Sequence, residues 1–225
     1  MKVVNLNKEH ILEVADVLCE AFYNYPVMKY VLGETEDYDT RLRKAVTFFV
    51  SARALRNEPL LGIYNSDNKL IAAATVTLPG DIPNLEELVK RRDTLWQELG
   101  EKAKSRYEKY GKAASALLPT EPHHHLNMIG VRNAYQCKGL ARLLINVVDD
   151  FVASHPFSTG VSLNTEVESN VNFYLHLDFE LLGKANVVSK AVTDDSVTDI
   201  NIHGTTVTSL SDLVTWGFFK SKGKK

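Results

Sequence analysis

The chain has 225 residues, of which 44% are hydrophobic and 24% charged, a composition typical of a folded domain with a sizeable core. Its net charge of -2 gives no reason to expect nucleic acid or an anionic membrane as a partner. Cys19 and Cys137 are too few for a disulfide framework. The N-terminus shows no signal peptide, and no apolar run reaches the roughly 20 residues of a membrane span. We therefore expect one cytoplasmic domain over residues 1–225, as a monomer or a homodimer.

The part of the chain before residue 80 predicts the element order β-α-α-β-β. Asn7 is placed to cap the first helix. Tyr25 ends the helical pattern, because the residue before Pro26 is pushed out of helical geometry. The aromatic residues of this region either pack in the core or form one wall of a substrate pocket; they are Phe22, Tyr23, Tyr25 and Tyr30. The predicted elements are strand 3–6, helix 7–21, helix 39–55, and a hairpin of strands 60–64 and 70–78.

Residues 84–118 form a charged segment with apolar residues at helical spacing. Gly100 and Gly111 are candidate breaks in this helical pattern. The charge run at 90–93 is typical of a solvated helix face. We therefore expect helices here and no strand.

The stretch from 123 to 154 predicts a strand, a tight turn and an amphipathic helix. The strand covers Leu126–Val131, and the turn Gln136–Ala141 opens directly into a helix from Leu140. The first N–H groups of a helix lack internal partners and carry partial positive charge, and Gly139 has no side chain to hold an anion away. The turn is therefore either a phosphate-binding loop made mostly of backbone or an ordinary strand-to-helix turn.

The remaining chain predicts a strand, a short helix and further strands. Pro156 ends the helix that precedes them. The predicted bounds are strand 160–165, helix 170–177, strand 179–188 and a last strand at 214–219, whereas residues 196–203 give no clear pattern.

Two motifs resemble those of the GNAT superfamily of N-acetyltransferases. Val131 followed by Gln136-Cys137-Lys138-Gly139-Leu140-Ala141 is similar to the family's Gln/Arg-x-x-Gly-x-Gly/Ala motif, whose loop amides hold the pyrophosphate of acetyl-CoA. The run Asn170-Val171-Asn172-Phe173-Tyr174, followed by Asp178-Phe179, is similar to the family's N-x-x-F-Y-x-x-x-G-F. Asp178 stands where the family has a glycine, a departure that concerns the local turn.

The resemblance implies a GNAT-type α/β fold, with a mixed, mostly antiparallel sheet flanked by helices. It makes residues 84–118 a helical insertion between the third and fourth strands. It also implies acetyl-CoA as cosubstrate and no metal. The implied cofactor-binding residues are Gln136, Cys137, Lys138, Gly139, Leu140 and Ala141 in the loop, Ile129 and Val131 on the strand, and Asn170 and Tyr174. Because the family splays its central strands at this point, the resemblance implies that the backbone of Ile129 and Val131 pairs with the pantetheine amides.

A similar insertion occurs in the puromycin N-acetyltransferase-like branch of the superfamily, which also resembles this chain at 131–136 and in the run Leu163-Asn164-Thr165. That branch has an acidic residue where this chain has Asn164, so puromycin is not carried over as the substrate. We expect the insertion to act as a lid or as a wall of the acceptor site.

Acetyl transfer needs a proton donor for the leaving thiolate and a neutral amine. The resemblance makes Tyr174 the general acid, although the residue is equally suited to pack its helix. Asn170 hydrogen-bonds the pantetheine arm, caps its helix, or does both. His125 is the first candidate for the general base, with Glu166 and Glu168 as rivals, and a plain surface or core role is the alternative for the histidine.

We therefore predict an acetyl-CoA-dependent N-acetyltransferase that acetylates a primary amine of a small molecule by direct attack in a ternary complex. One alternative acceptor is a protein lysine or N-terminus, which requires an open peptide groove. The other alternative is a non-catalytic CoA-binding module, which keeps the loop but has no need of Tyr174.

Overall fold

The computed structural model describes residues 1–80, 85–188 and 212–223, which build a seven-stranded sheet with helices on both faces. The strands are β1 Val3–Leu6, β2 Leu60–Tyr64, β3 Leu70–Thr77, β4 His124–Val131, β5 Gly160–Thr165, β6 Glu180–Val188 and β7 Leu213–Ser221. The helices are α1 Ile11–Phe22, α2 Pro26–Leu32, α3 Tyr38–Leu55, α4 Glu86–Leu99, α5 Glu101–Ser115, α6 Leu140–Ser154 and α7 Ser169–Leu175. Short 3-10 turns precede α1 and α6. In these ranges no helix is long and apolar enough to cross a membrane.

The strand order is β1-β2-β3-β4-β5-β7-β6, and every neighbouring pair is antiparallel except β4 with β5. The predicted mixed, mostly antiparallel sheet flanked by helices is therefore confirmed. The helical insertion between the third and fourth strands is also confirmed, as α4 and α5.

Strand alternation divides the core into two clusters. On β2, Leu60 packs with α1 and α3 on one face, whereas Leu61 and Ile63 pack with α6 on the other. The insertion joins the first cluster through Leu95, Trp96 and Leu99 of α4 together with Ala103 of α5. The insertion is therefore part of the folded core and is more than a surface appendage.

Most local predictions hold, and the exceptions have physical causes. The Asn7 side chain accepts from the Glu9 N–H at 2.9 Å and caps the 3-10 turn that leads into α1, whereas α1 itself begins at Ile11. Pro26 does end one helical stretch, but it also begins α2, because proline suits the first position of a helix. Gly100 separates α4 from α5 with a φ of 85°, whereas Gly111 lies inside α5 and breaks nothing. Residues 84 and 196–203 lie outside the described residues.

The parallel pair β4–β5 opens soon after it begins. Its register contains only His124 with Val161 and His125 with Ser162, although β4 continues to Val131 and β5 to Thr165. Beyond those two pairs the strands splay, and backbone groups on the facing edges have no strand partner. The splay predicted for the central strands is present and leaves a gap between them.

Candidate active site

The loop between β4 and α6 has the geometry of an anion-binding turn. Gly139 caps α6 with φ 76° and ψ 6°, a left-handed conformation that favours glycine, and Cys137 also has a positive φ of 59°. Residues 136–139 are exposed, and in the described part of the chain the N–H groups of 137–142 donate to no protein acceptor. Because α6 is 15 residues long, its macrodipole reinforces these free donors.

Two side chains of the loop brace it. The Gln136 side-chain amide donates to the Val131 carbonyl at 3.3 Å and to Asn133 Oδ1 at 3.1 Å. The Lys138 ammonium turns back to the Ala134 carbonyl at 3.1 Å. These side chains hold the turn in shape, so the groups left for an anion are mainly backbone N–H.

Strand β4 directs part of its backbone into the gap. The Arg132 N–H donates to the Ile71 carbonyl of β3 at 2.9 Å, which fixes the side on which even-numbered residues pair. By the two-residue alternation of a strand, the N–H groups of Ile129 and Val131 face the gap. Their predicted contact with the pantetheine amides needs this orientation.

A cavity of about 420 Å³ lies beside the N-terminal half of β4. The inner wall includes His125, Asn127 and Ile129, while α4 and α5 contribute the opposite wall. The insertion therefore forms a wall of the cavity. Seven aromatic side chains contribute to the lining; they are Phe22, Tyr25, Phe48, Phe49, Trp96, Tyr107 and Tyr110.

Glu166 is the one carboxylate in the described lining of this cavity. It follows the last residue of β5, is 7% exposed, and accepts hydrogen bonds from the Tyr110 hydroxyl at 3.0 Å and the Thr215 hydroxyl at 2.7 Å. Burial raises the pKa of Glu166, and these hydrogen bonds oppose the rise. A buried carboxylate at a cavity wall is a candidate proton acceptor.

The Thr165 hydroxyl connects Tyr25 and Asn170 through hydrogen bonds. It lies 2.9 Å from the Tyr25 hydroxyl and accepts from the Asn170 side-chain amide at 3.1 Å. Asn170 therefore does not cap its helix: it lies within α7, and the residue at the cap position is Glu168. Its side chain reaches the cavity lining, where the predicted contact with a pantetheine arm has room.

Tyr174 lies next to this network and is only 6% exposed. Its ring packs against Phe173, Phe179 and Phe218 with centroids 5.3 to 5.7 Å apart. Burial, reinforced by the Glu166 carboxylate, raises the pKa of Tyr174. The residue packs its helix and remains a protonated phenol, so the two readings of Tyr174 are compatible.

The other base candidates differ in position. His125 lines the cavity, and its Nδ1 lies 2.8 Å from the Ser162 hydroxyl. Burial lowers the pKa of His125 to about 4. Glu168 is exposed and lies outside the cavity lining. Residues 1–80, 85–188 and 212–223 contain no group of three or more potential ligands that could hold a metal ion.

The sequence patterns did not identify several residues of this site as functional. Tyr110 was part of an apolar helical pattern, and Tyr25 was one of four aromatic residues with two open interpretations. Thr215 lies 49 residues after Glu166, its hydrogen-bond partner, in the sequence. No short motif marks these residues, because their roles arise only when β5, β7, α5 and the turn before α2 meet.

The comparison with protein families decides the identity. The sequence pattern described as "Acetyltransferase (GNAT) family" matches residues 19–179. The chain belongs to the GNAT family. This membership agrees with the resemblance carried by the two motifs.

Solved structures agree with the GNAT fold. A histone acetyltransferase of Corynebacterium glutamicum is 17% identical, with a TM-score of 0.63 over 96% of this chain and 94% of that chain. A polyamine N-acetyltransferase of Drosophila melanogaster is 12% identical, with a TM-score of 0.64 over 97% and 98%. An arylalkylamine N-acetyltransferase of Aedes aegypti is 13% identical, with a TM-score of 0.61 over 99% of both chains. At these identities the similarity shows the fold alone.

A curated relative comes from Dictyostelium discoideum and is described as a probable serine/threonine-protein kinase. It is 27% identical over 192 residues, which are 76% of this chain and 20% of that protein. The GNAT chain therefore spans about a fifth of the length of this relative.

Proposed function

We propose that this GNAT protein is an acetyl-CoA-dependent N-acetyltransferase that acetylates a primary amine of a small molecule in a ternary complex. The observation that carries the proposal is the position of β4. Its C-terminal end leads into the free N–H groups at 137–142, and its N-terminal half lines the aromatic cavity. One strand thus borders both an anion site and an acceptor-sized cavity.

The loop and the splayed edge fit the two polar parts of acetyl-CoA. The free N–H groups of the loop and of the first turn of α6 bind the pyrophosphate, where Gly139 leaves the backbone open to it. The backbone groups of Ile129 and Val131 bind the pantetheine amides, as an added strand would. Asn170 has a side chain at the cavity wall for the same arm.

The cosubstrate supplies an activated acetyl thioester. The amine nitrogen attacks its carbonyl carbon, so that the new C–N bond forms as the C–S bond breaks. Tyr174 donates its phenolic proton to the departing sulfur. Its raised pKa keeps it protonated at neutral pH, as a proton donor must be.

The proton of the amine goes to a base in the cavity, for which we propose Glu166, with His125 as the alternative. Both side chains line the cavity. Burial makes the Glu166 carboxylate a stronger proton acceptor and the His125 imidazole a weaker one, since it raises the pKa of the first and lowers that of the second. Tyr110 and Thr215 hold the carboxylate in place.

A small-molecule acceptor is favoured over a protein because α4 and α5 wall the cavity. A volume of about 420 Å³ is in the range of small-ligand pockets. The cytoplasmic location, the oligomeric state and the absence of metal, nucleic-acid and membrane partners stay predictions.

Calorimetry with acetyl-CoA, followed by thiol release with a panel of amines, tests the proposed function. The panel contains aromatic amines, polyamines and a lysine peptide. We expect binding of acetyl-CoA, thiol release with at least one small amine, and a fall of about ten-fold or more in kcat for Tyr174→Phe without a change in acetyl-CoA affinity. Binding without turnover on any amine supports the non-catalytic module, and turnover only with the peptide supports a protein acceptor.

A further inference from the structure

The cavity has a second charged region besides Glu166. Arg53 and Arg56 from the end of α3 and Arg92 from α4 all line it. Arg53 pairs with the buried Glu58 at 3.0 Å and also contacts the Thr77 hydroxyl, which in turn donates to Asn127 Oδ1 at 2.9 Å. This places the Arg53 end of the cavity beside the start of β4.

The three arginines differ in whether a neighbouring carboxylate balances their positive charge. Glu58 neutralises Arg53, and exposed Arg92 pairs with its neighbour Asp93 at 3.0 Å. Arg56 has a buried Nε without a hydrogen-bond partner and forms no ion pair in the described part of the chain. The cluster of Arg53, Arg56 and Glu58 therefore carries a net positive charge, since two partly exposed cations meet one buried anion.

Arg56 is partly buried, and its unpartnered Nε–H favours an anion that reaches the guanidinium. A carboxylate matches both the single surplus charge and the planar shape of the guanidinium. A second ammonium group, such as that of a polyamine, would be repelled at the same place.

The two charged regions are far enough apart for one small molecule to lie between them. Arg53 contacts the Thr77 hydroxyl, and Thr77 pairs with His125 across β3 and β4. His125 in turn pairs with Ser162 of β5. Glu166 follows Ser162 by four residues, which correspond to about 13 Å along the strand direction. The aromatic side chains that line the same cavity suit an apolar body.

We propose that the acceptor is an amine with an aromatic or apolar body and a carboxylate remote from the amine, and that Arg56 binds this carboxylate. This inference rests on the proposed function, because it names the acceptor class of the same site. Arg56 acts in it as a specificity-determining residue that takes no part in the chemistry.

The direct test is calorimetry with para-ethylbenzoate and its neutral amide para-ethylbenzamide, neither of which has an amine to acetylate. We expect wild type to bind the carboxylate more tightly than the amide. Arg56→Gln is expected to weaken carboxylate binding about ten-fold or more and to leave amide binding unchanged. Arg56→Lys retains part of the affinity. Arg91→Gln, the matched control at an exposed arginine that pairs with Glu87 outside the cavity lining, retains all of it.

A turnover measurement extends the test to the whole reaction. With para-(aminoethyl)benzoate and para-(aminoethyl)benzamide as acceptors, Arg56→Gln is expected to lower kcat/KM for the acid alone, through KM. The inference is overturned if wild type binds para-ethylbenzoate no more tightly than the amide, or if Arg56→Gln with a wild-type melting temperature binds both as before. Neither result depends on turnover, so the proposed function can fail or stand separately in the acetyl-CoA titration.

Discussion

The loop at 136–142 and the aromatic cavity serve, in our proposal, the two substrates of one reaction, yet they are built in different ways. The loop is continuous in sequence, exposed, and offers mainly backbone N–H groups. The cavity is lined by side chains from six helices and three strands, and most of its polar side chains are hydrogen-bonded or ion-paired within the protein. A backbone site recognises a group common to all reactions of the family, whereas a side-chain site can be changed residue by residue.

Mutations in the loop and mutations in the cavity are therefore expected to have different effects. A change in the loop affects the shared cosubstrate and hence every acceptor equally. A change in the cavity affects the proton transfer or the choice of acceptor and leaves the cosubstrate bound.

The largest effect is expected for Gly139→Glu. The substitution places a carboxylate at the anion site and imposes a side chain on a backbone with φ 76°. We expect the affinity for acetyl-CoA to fall by at least about a hundred-fold. Titration calorimetry measures this directly.

Gly111→Glu is the matched control, because it adds the same charge on α5 at a position with ordinary backbone geometry and no atom within 4 Å of a new Cβ. It is expected to bind acetyl-CoA as wild type does. Equal binding by Gly139→Glu would show that the loop is an ordinary turn.

The next effect is expected at the buried carboxylate. Glu166→Gln removes the proposed proton acceptor and is expected to lower kcat/KM by about a hundred-fold at neutral pH, with acetyl-CoA affinity unchanged. Because the base must be deprotonated, activity of wild type should rise with pH through an apparent pKa above the ordinary value of glutamate, the direction in which burial shifts Glu166. Initial rates across pH measure both effects.

Glu168→Gln is the control for this experiment, since Glu168 is exposed and outside the cavity. If His125 were the base, the acid limb of the profile would lie near 4, and His125→Gln would cost more than Glu166→Gln. That pattern would exchange the roles of the two residues.

The same contrast explains how much the sequence could predict. The order of β1 to β5 along the chain and the loop follow from local periodicity and a six-residue motif, because each depends on neighbouring residues. The splayed strands were expected from the family resemblance. Helix α2 was not predicted, because Pro26 ends one helical stretch and also begins the next. The hydrogen-bond partners of Glu166 were not predicted for another reason. Tyr110 and Thr215 are 56 and 49 residues away from it in sequence, and no local pattern indicates contacts over such separations.

The smallest effect separates the insertion's role as a wall from a role in the chemistry. Tyr110 of α5 donates to Glu166, and this bond holds the pKa of the carboxylate below the value that burial alone would give. Tyr110→Phe is therefore expected to raise that pKa and to move the acid limb of the activity profile to higher pH by up to about one unit, because a single hydrogen bond is worth about 1 kcal/mol. Tyr107→Phe, which alters another tyrosine of the same cavity wall that does not bond Glu166, should leave the limb where it is. Equal profiles for the two variants would make the insertion a wall alone, whereas a shift confined to Tyr110→Phe would show that α5 also sets the protonation state of the proposed base.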